Sequence, residues 1–189
     1  MKEALRNKTT ISLLAGTSCA SIISALTGSD KPQDAYHVLR VIPSIGAKIS
    51  TSVTLVAQTS YAGEQQQKTC DWIFNQVGST THLPESLMDE ATAAGAAAHA
   101  LAFVAIDAIA DASVAEGIPR PIAVQIAAQS LSSAAGLLAG EMTAESLKEA
   151  MSIPKSITIN SALALEKGGV RSGVSDAVRH AIQYARSFN

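Results

Sequence analysis

His99 stands in the stretch ATAAGAAAHALAF, Ala91 to Phe103, where nearly every neighbour is alanine. Side chains this small let two helix backbones approach closely, but an imidazole among them needs a hydrogen-bond partner or a chemical task. Its ordinary titration near neutrality suits it to giving or taking a proton. The alternative is a histidine hydrogen-bonded inside a helix interface. Asp107 and Asp111 lie four residues apart, on one face of a helix. Two carboxylates at that spacing could start a metal site, yet neither a histidine nor a third carboxylate stands at matching spacing. Charged helix surface or a dimer salt bridge is therefore the better reading, and no metal is expected. Cys19 and Cys70 are too far apart for a metal or redox motif and read as buried thiols of a reducing cytosol. His82 and His180 read as structural, and no Ser-His-Asp or Cys-His motif rises above chance.

The elements that must position these residues follow from composition and pattern. Of 189 residues, 47% are hydrophobic and only 4% aromatic, which favours closely packed helices over an aromatic-rich sandwich. The net charge is −2 with dispersed Lys and Arg, so no basic stripe exists to neutralise phosphates and nucleic acid is not an expected partner. The opening MKEALRNKTTISLLAG has charges where a signal peptide needs its apolar run, which points to a cytoplasmic protein. The longest apolar stretch, Ala91 to Ile106, carries His99 and runs into Asp107, so no membrane span is expected.

Residues 1–83 alternate. TTISLLA, HVLRVIP and SVTLVAQ read as strands, and SCASIISALTG as a helix closed by Gly28. GEQQQKTCDWIFNQVG reads as a helix with Cys70, Trp72, Ile73, Phe74 and Val77 near one face, ending at Gly78. Residues 84–189 carry helical periodicity throughout. Pro84 fits the first helical position with Glu85 beside it, and GIPRP, Gly140 and Gly168-Gly169 punctuate the helices. Ala, Ser and Gly on several helix faces cannot all be sealed inside one small monomer, and an intertwined dimer would use them.

An ordered series of residues carries a resemblance. Asp107, Ala108, Ala110, Asp111, Gly117, Pro119, Arg120, Ala128 and Gln129 are followed by Leu147, Lys148, Pro154, Thr158, Ile159, Leu165, Glu166, Gly168, Gly169 and Arg171. They resemble, in order and nearly in spacing, the dimerisation domain of pyrroline-5-carboxylate reductase. ISLLAGTSCASII and RVIPS…SVTL resemble the SIAAG and RVMPN…GVTAL segments of the same family. The resemblance implies an α+β fold: a truncated Rossmann-like α/β lobe over residues 1–83, then an all-helical dimerisation domain over 84–189. The family's Gly-x-Gly-x-x-Gly turn, which holds the dinucleotide pyrophosphate, has no counterpart, for no Gly-x-Gly occurs in the chain.

The resemblance also places candidate site residues. Gly95 to Leu101 stands where the family has Ser-Gly-Ser-Gly-Pro-Ala-Tyr, which puts His99 in place of the proline at the pocket mouth. Pro154-Lys155-Ser156-Ile157-Thr158 stands for Pro-Gly-Gly-(Ala/Thr)-Thr, and Ser44-Ile45-Gly46 for Asn-Thr-Pro. His99 and Lys155 become the catalytic candidates, although a solvated loop lysine is the bland alternative. Thr92, Ser156, Thr158 and Glu141 become substrate-binding candidates; the threonines could equally cap helices, and Glu141 matches a family glutamate only across a one-residue gap. Loss of the glycine turn together with these substitutions leads to an expectation of an enzyme with no redox cofactor. It would be a cyclase or isomerase, suited to secondary metabolism, working on an imine, pyrroline or other cyclic, partly apolar intermediate, bulkier than pyrroline carboxylate, in the pocket of a homodimer. The competing expectations are a divergent NAD(P)H-dependent imine reductase whose nucleotide-binding half comes from a partner chain, and a noncatalytic reductase subunit.

Overall fold

A computed structural model describes residues 2–31 and 35–187. The chain divides into two compact units: residues up to Gly95 together with those from His180 onward, and Ala96–Arg179.

The first unit is built from two βαβ segments. β1 (Thr9–Ser12), α2 (Cys19–Thr27) and β2 (His37–Pro43) form one, with β1 and β2 parallel and Ser12 opposite Arg40. β3 (Ser52–Gln58), α3 (Glu64–Phe74) and β4 (Gly78–Pro84) form the other, again parallel, with Ser52 opposite Gly78. The two join back to back through the antiparallel pair β2–β3, giving the strand order β1-β2-β3-β4. A one-turn helix, α1 (Lys2–Leu5), precedes β1 and has no signal in the hydrophobic pattern. Successive strand residues point to opposite faces, and β2 uses both. Leu39 and Val41 pack with Val56, Ala62 and Cys70, while Val38 packs with Cys19 and Ile23 of α2. Gly28 closes α2 at φ 82, as the sequence implied, and Ser18 caps its start by accepting from Ser21 N.

Two local expectations are corrected. The stripe expected on α3 narrows to Cys70, fully buried, and Phe74, which packs on the same core; Trp72 is 68% exposed. Cys70 and Phe74 are four apart and share a face, whereas a step of two turns Trp72 about 200° away. Pro84 does not open a helix either. It ends β4, a 3-10 turn covers Glu85–Leu87, and the helix starts at Met88.

The second unit is helical. α4 (Met88–Ala115) enters it from the first unit, followed by α5 (Arg120–Ala139), α6 (Ala144–Met151), α7 (Ile157–Lys167) and α8 (Val170–Arg186), whose residues from His180 belong to the first unit again. Thr143 caps α6 in a reciprocal pair with Ser146. Asp107 and Asp111 both pair with Arg120 at the start of α5, so the two aspartates brace the α4–α5 turn within one chain. Among the described residues of this unit, the fully buried apolar side chains are Ala110, Ala123 and Ala127. Phe103, Val104, Ile122, Ile126, Leu163 and Leu165 are half exposed or more. By length and composition alone, Glu85–Ala115 and α5 are apolar enough to cross a membrane. The same surface serves equally well to pack helix on helix.

Candidate functional site

The sequence candidates fall into separate places. Thr92 lies on the first turns of α4, where its Oγ1 donates to Met88 O at 2.7 Å, so the hydroxyl is already engaged by its own helix. His99 is exposed, further along α4, and Glu141 is exposed in the turn between α5 and α6. Lys155, Ser156 and Thr158 gather at the start of α7. Ser156 is the cap of that helix: its Oγ accepts from Ile159 N at 3.2 Å and donates to Met151 O at 3.1 Å. Its hydroxyl is therefore committed to the fold. Lys155 takes φ 64, the left-handed region that glycine enters without strain and lysine does not. A lysine thus occupies a backbone conformation that favours glycine. Thr158 and Lys155 are exposed beside the first-turn N–H groups of α7, where the helix dipole favours an anionic group. At the other end of α7, Glu166 and Arg171 form an exposed ion pair, and the guanidinium hydrogen bond holds the Glu166 carboxyl below its usual range.

A polar cluster that none of these candidates joins lies in the first unit. A depression of about 390 Å³ is lined by Gly16, Ser18, Arg40, Glu85, Ser86 and Asp89, among others. Arg40 sits among the apolar residues of β2 with a side chain 3% exposed, and its Nη2 donates to Asp89 Oδ1 at 2.5 Å. Its Nε is buried without a partner among the described residues. Glu85 Oε1 accepts from Cys19 N at 2.6 Å, at the first turn of α2. Burial, with the Glu85 charge and hydrogen bond adding to it, pushes the Cys19 thiol up to about 12; burial also pushes Cys70 up to about 11. Both cysteines are free, buried and protonated at neutral pH, so neither is a nucleophile. Sequence reading passed over Arg40, Glu85 and Asp89. A signal was present: one arginine inside the apolar run HVLRVIP requires a buried counter-charge, and acidic residues cluster where α4 begins.

Comparison with known proteins gives this geometry its context. Residues 85–188 match the domain described as pyrroline-5-carboxylate reductase dimerisation. The pyrroline-5-carboxylate reductase of Schizosaccharomyces pombe is 32% identical over 98% of this chain and 64% of its own length. The chain thus spans less than two thirds of that relative. A structure of pyrroline-5-carboxylate reductase from Coxiella burnetii superposes with a TM-score of 0.89 at 20% identity, covering 100% of this chain and 69% of that one. The crystal structure of Plasmodium falciparum pyrroline carboxylate reductase with NADP bound gives 0.83 at 21% identity, covering 99% and 73%. These findings overturn the expectation of a cofactor-independent cyclase or isomerase. The relatives are reductases, one of them described with a dinucleotide, and none supports a non-redox reaction. Substituted pocket motifs do not by themselves mean a change of chemistry, and at Lys155 the backbone adopts a conformation that glycine takes without strain. The chain has the α+β fold expected of it, a Rossmann-like lobe with a helical dimerisation domain, and it belongs to the pyrroline-5-carboxylate reductase family.

Proposed function

We propose that the protein works in the NAD(P)H-dependent reduction of a small cyclic imino acid of the pyrroline-5-carboxylate type, as a homodimer through residues 84–189. The observation that carries this reading is the match of residues 85–188 to the reductase dimerisation domain, with a named reductase similar along 98% of the chain. The residues of this chain serve the substrate side. Lys155 and Thr158, beside the α7 N-terminus, attract its carboxylate, and His99 moves a proton from α4, with a partner chain closing the site around them. Ser156 and Glu141 shape that site rather than react, while the Thr92 hydroxyl stays engaged by its own helix. Burial of both free thiols accords with a reducing, cytoplasmic setting.

The residues present do not fit the dinucleotide pyrophosphate. No Gly-x-Gly occurs in the 189 residues, and the strand-to-helix turn after β1 already has a carboxylate on its helix N-terminus. In this reading the phosphates are held by residues outside these 189. The test is NADPH oxidation with pyrroline-5-carboxylate, run on the chain by itself and on the chain joined to the part of the Schizosaccharomyces pombe relative that it does not cover. Turnover that appears only in the joined form, and falls about 10²-fold or more in His99→Ala, is the expected result. A folded, joined protein without turnover would overturn the proposal.

A further inference from the structure

Where a strand passes into a helix, open α/β sheets commonly hold an anion, because the first-turn N–H groups have no partner within the helix. The turn between β1 and α2 has the parts for this. Gly16 adopts φ 68, Ser18 caps the helix, and α2 runs nine residues. The position is nevertheless filled from within the chain. Glu85 arrives from 66 residues away and sets Oε1 2.6 Å from Cys19 N, a charge-assisted hydrogen bond at the head of the helix dipole. Ser21 N is taken by Ser18 Oγ at 3.1 Å, and Ile22 N by Ser18 O at 3.1 Å. Asp89 lines the same depression, where the one guanidinium, that of Arg40, is already paired with it. A phosphate entering here would meet two carboxylates, and the guanidinium beside them is already paired with Asp89, only its buried Nε lacking a partner among the described residues.

We propose that Glu85 is a built-in anion of the β1–α2 turn: it occupies the place a ligand phosphate would take, excludes one from it, and ties that turn to the root of α4. The Cys19 thiol registers the same charge, since burial and then Glu85 raise it. The inference does not depend on the reductase reading, because it concerns which anion the turn holds and not what reaction follows.

The test is amide NMR of the full chain with inorganic phosphate and sodium formate as probes. In the wild type the Cys19 amide proton is expected far downfield, as a short bond to a carboxylate makes it, and unmoved by phosphate at tens of millimolar. In Glu85→Ala it is expected to move upfield and to return, saturably, as formate is added. Glu85→Gln keeps an oxygen acceptor without the charge and should lie between, which decides the matter if the alanine variant does not fold. A saturable phosphate shift at Cys19 in the wild type overturns the proposal. So does a Cys19 amide indifferent to either substitution, or a folded Glu85→Ala chain that formate does not restore.

Discussion

Individual side chains here are governed by burial of charge. Arg40 is fixed in the sheet with one carboxylate for company, and removing that carboxylate leaves a guanidinium stranded out of water. Asp89→Ala should therefore lower stability by about 3–5 kcal/mol in urea unfolding, while the double change Arg40→Leu with Asp89→Leu should recover most of the loss. A double variant as weak as the single one would mean that backbone distortion dominates. The two thiols report through pH. Unfolded, each ionises near its ordinary value; folded, they hold their protons up to about 12 and about 11. Between those limits the unfolded chain binds fewer protons than the native one, so stability falls as pH rises above about 9, by about 1.4 kcal/mol per unit for each thiol. A Cys19→Ala, Cys70→Ala chain should show a visibly flatter alkaline limb of its melting curve; an unchanged limb would assign that slope to other groups. Lys155 carries a different strain. Its left-handed backbone disfavours any side chain, so Lys155→Gly should raise stability by about 1 kcal/mol or leave it level, whatever it does to substrate affinity. A clear loss would show that the lysine side chain makes a stabilising contact.

At the scale of elements, glycines were the readable signals. Gly28 and Gly117 stand where helices end, because each supplies a backbone geometry that few residues provide. The errors have equally local causes. Pro84 looks alike at a strand end and at a helix start, since a fixed φ suits both, and β4 differs from loop only through its partner β3. The candidate site was legible as a set of positions and not as chemistry. Lys155 and Thr158 could be placed on a motif by order along the chain. The engagement of Thr92 by Met88 O is local to one helix turn and shows only once the helix is built, whereas the Arg40–Asp89 pair and the Glu85–Cys19 bond depend on contacts between distant segments. Gly78 shows how much one such approach demands. It adopts φ 150, and a Cβ there would lie 2.1 Å from Ser52 O on the neighbouring strand. Gly78→Ala must push β4 away from β3 or bend it, and a loss of about 2 kcal/mol or more is expected in thermal unfolding. Wild-type stability in that variant would mean the two strands separate there at no cost.

The whole molecule is unevenly filled. In the first unit, Leu39, Val41, Val56 and Cys70 are sealed between sheet and helix, each aliphatic side chain contributing about 1.5–3 kcal/mol. In the second, alanines are what a single chain buries, while Phe103, Ile126 and Leu163 face outward from three different helices. Helices so exposed on several sides do not hold together on their own apolar contacts, and the family to which the chain belongs has a dimerisation domain over these residues. Docking a second copy would cover them, and an interface built from three or more helices per chain should bury more than about 2,000 Å², in the range of obligate dimers. Folding and association should then be one process, with a melting temperature that rises with protein concentration. Phe103→Asp places a charge within that surface. Because the aspartate would remain hydrated in a lone chain but not in the dimer, the variant should sediment as a monomer and lose helical signal from the second unit while keeping the sheet. A wild-type chain that sediments as a folded monomer at micromolar concentration, melting independently of dilution, would remove the dimer from this account.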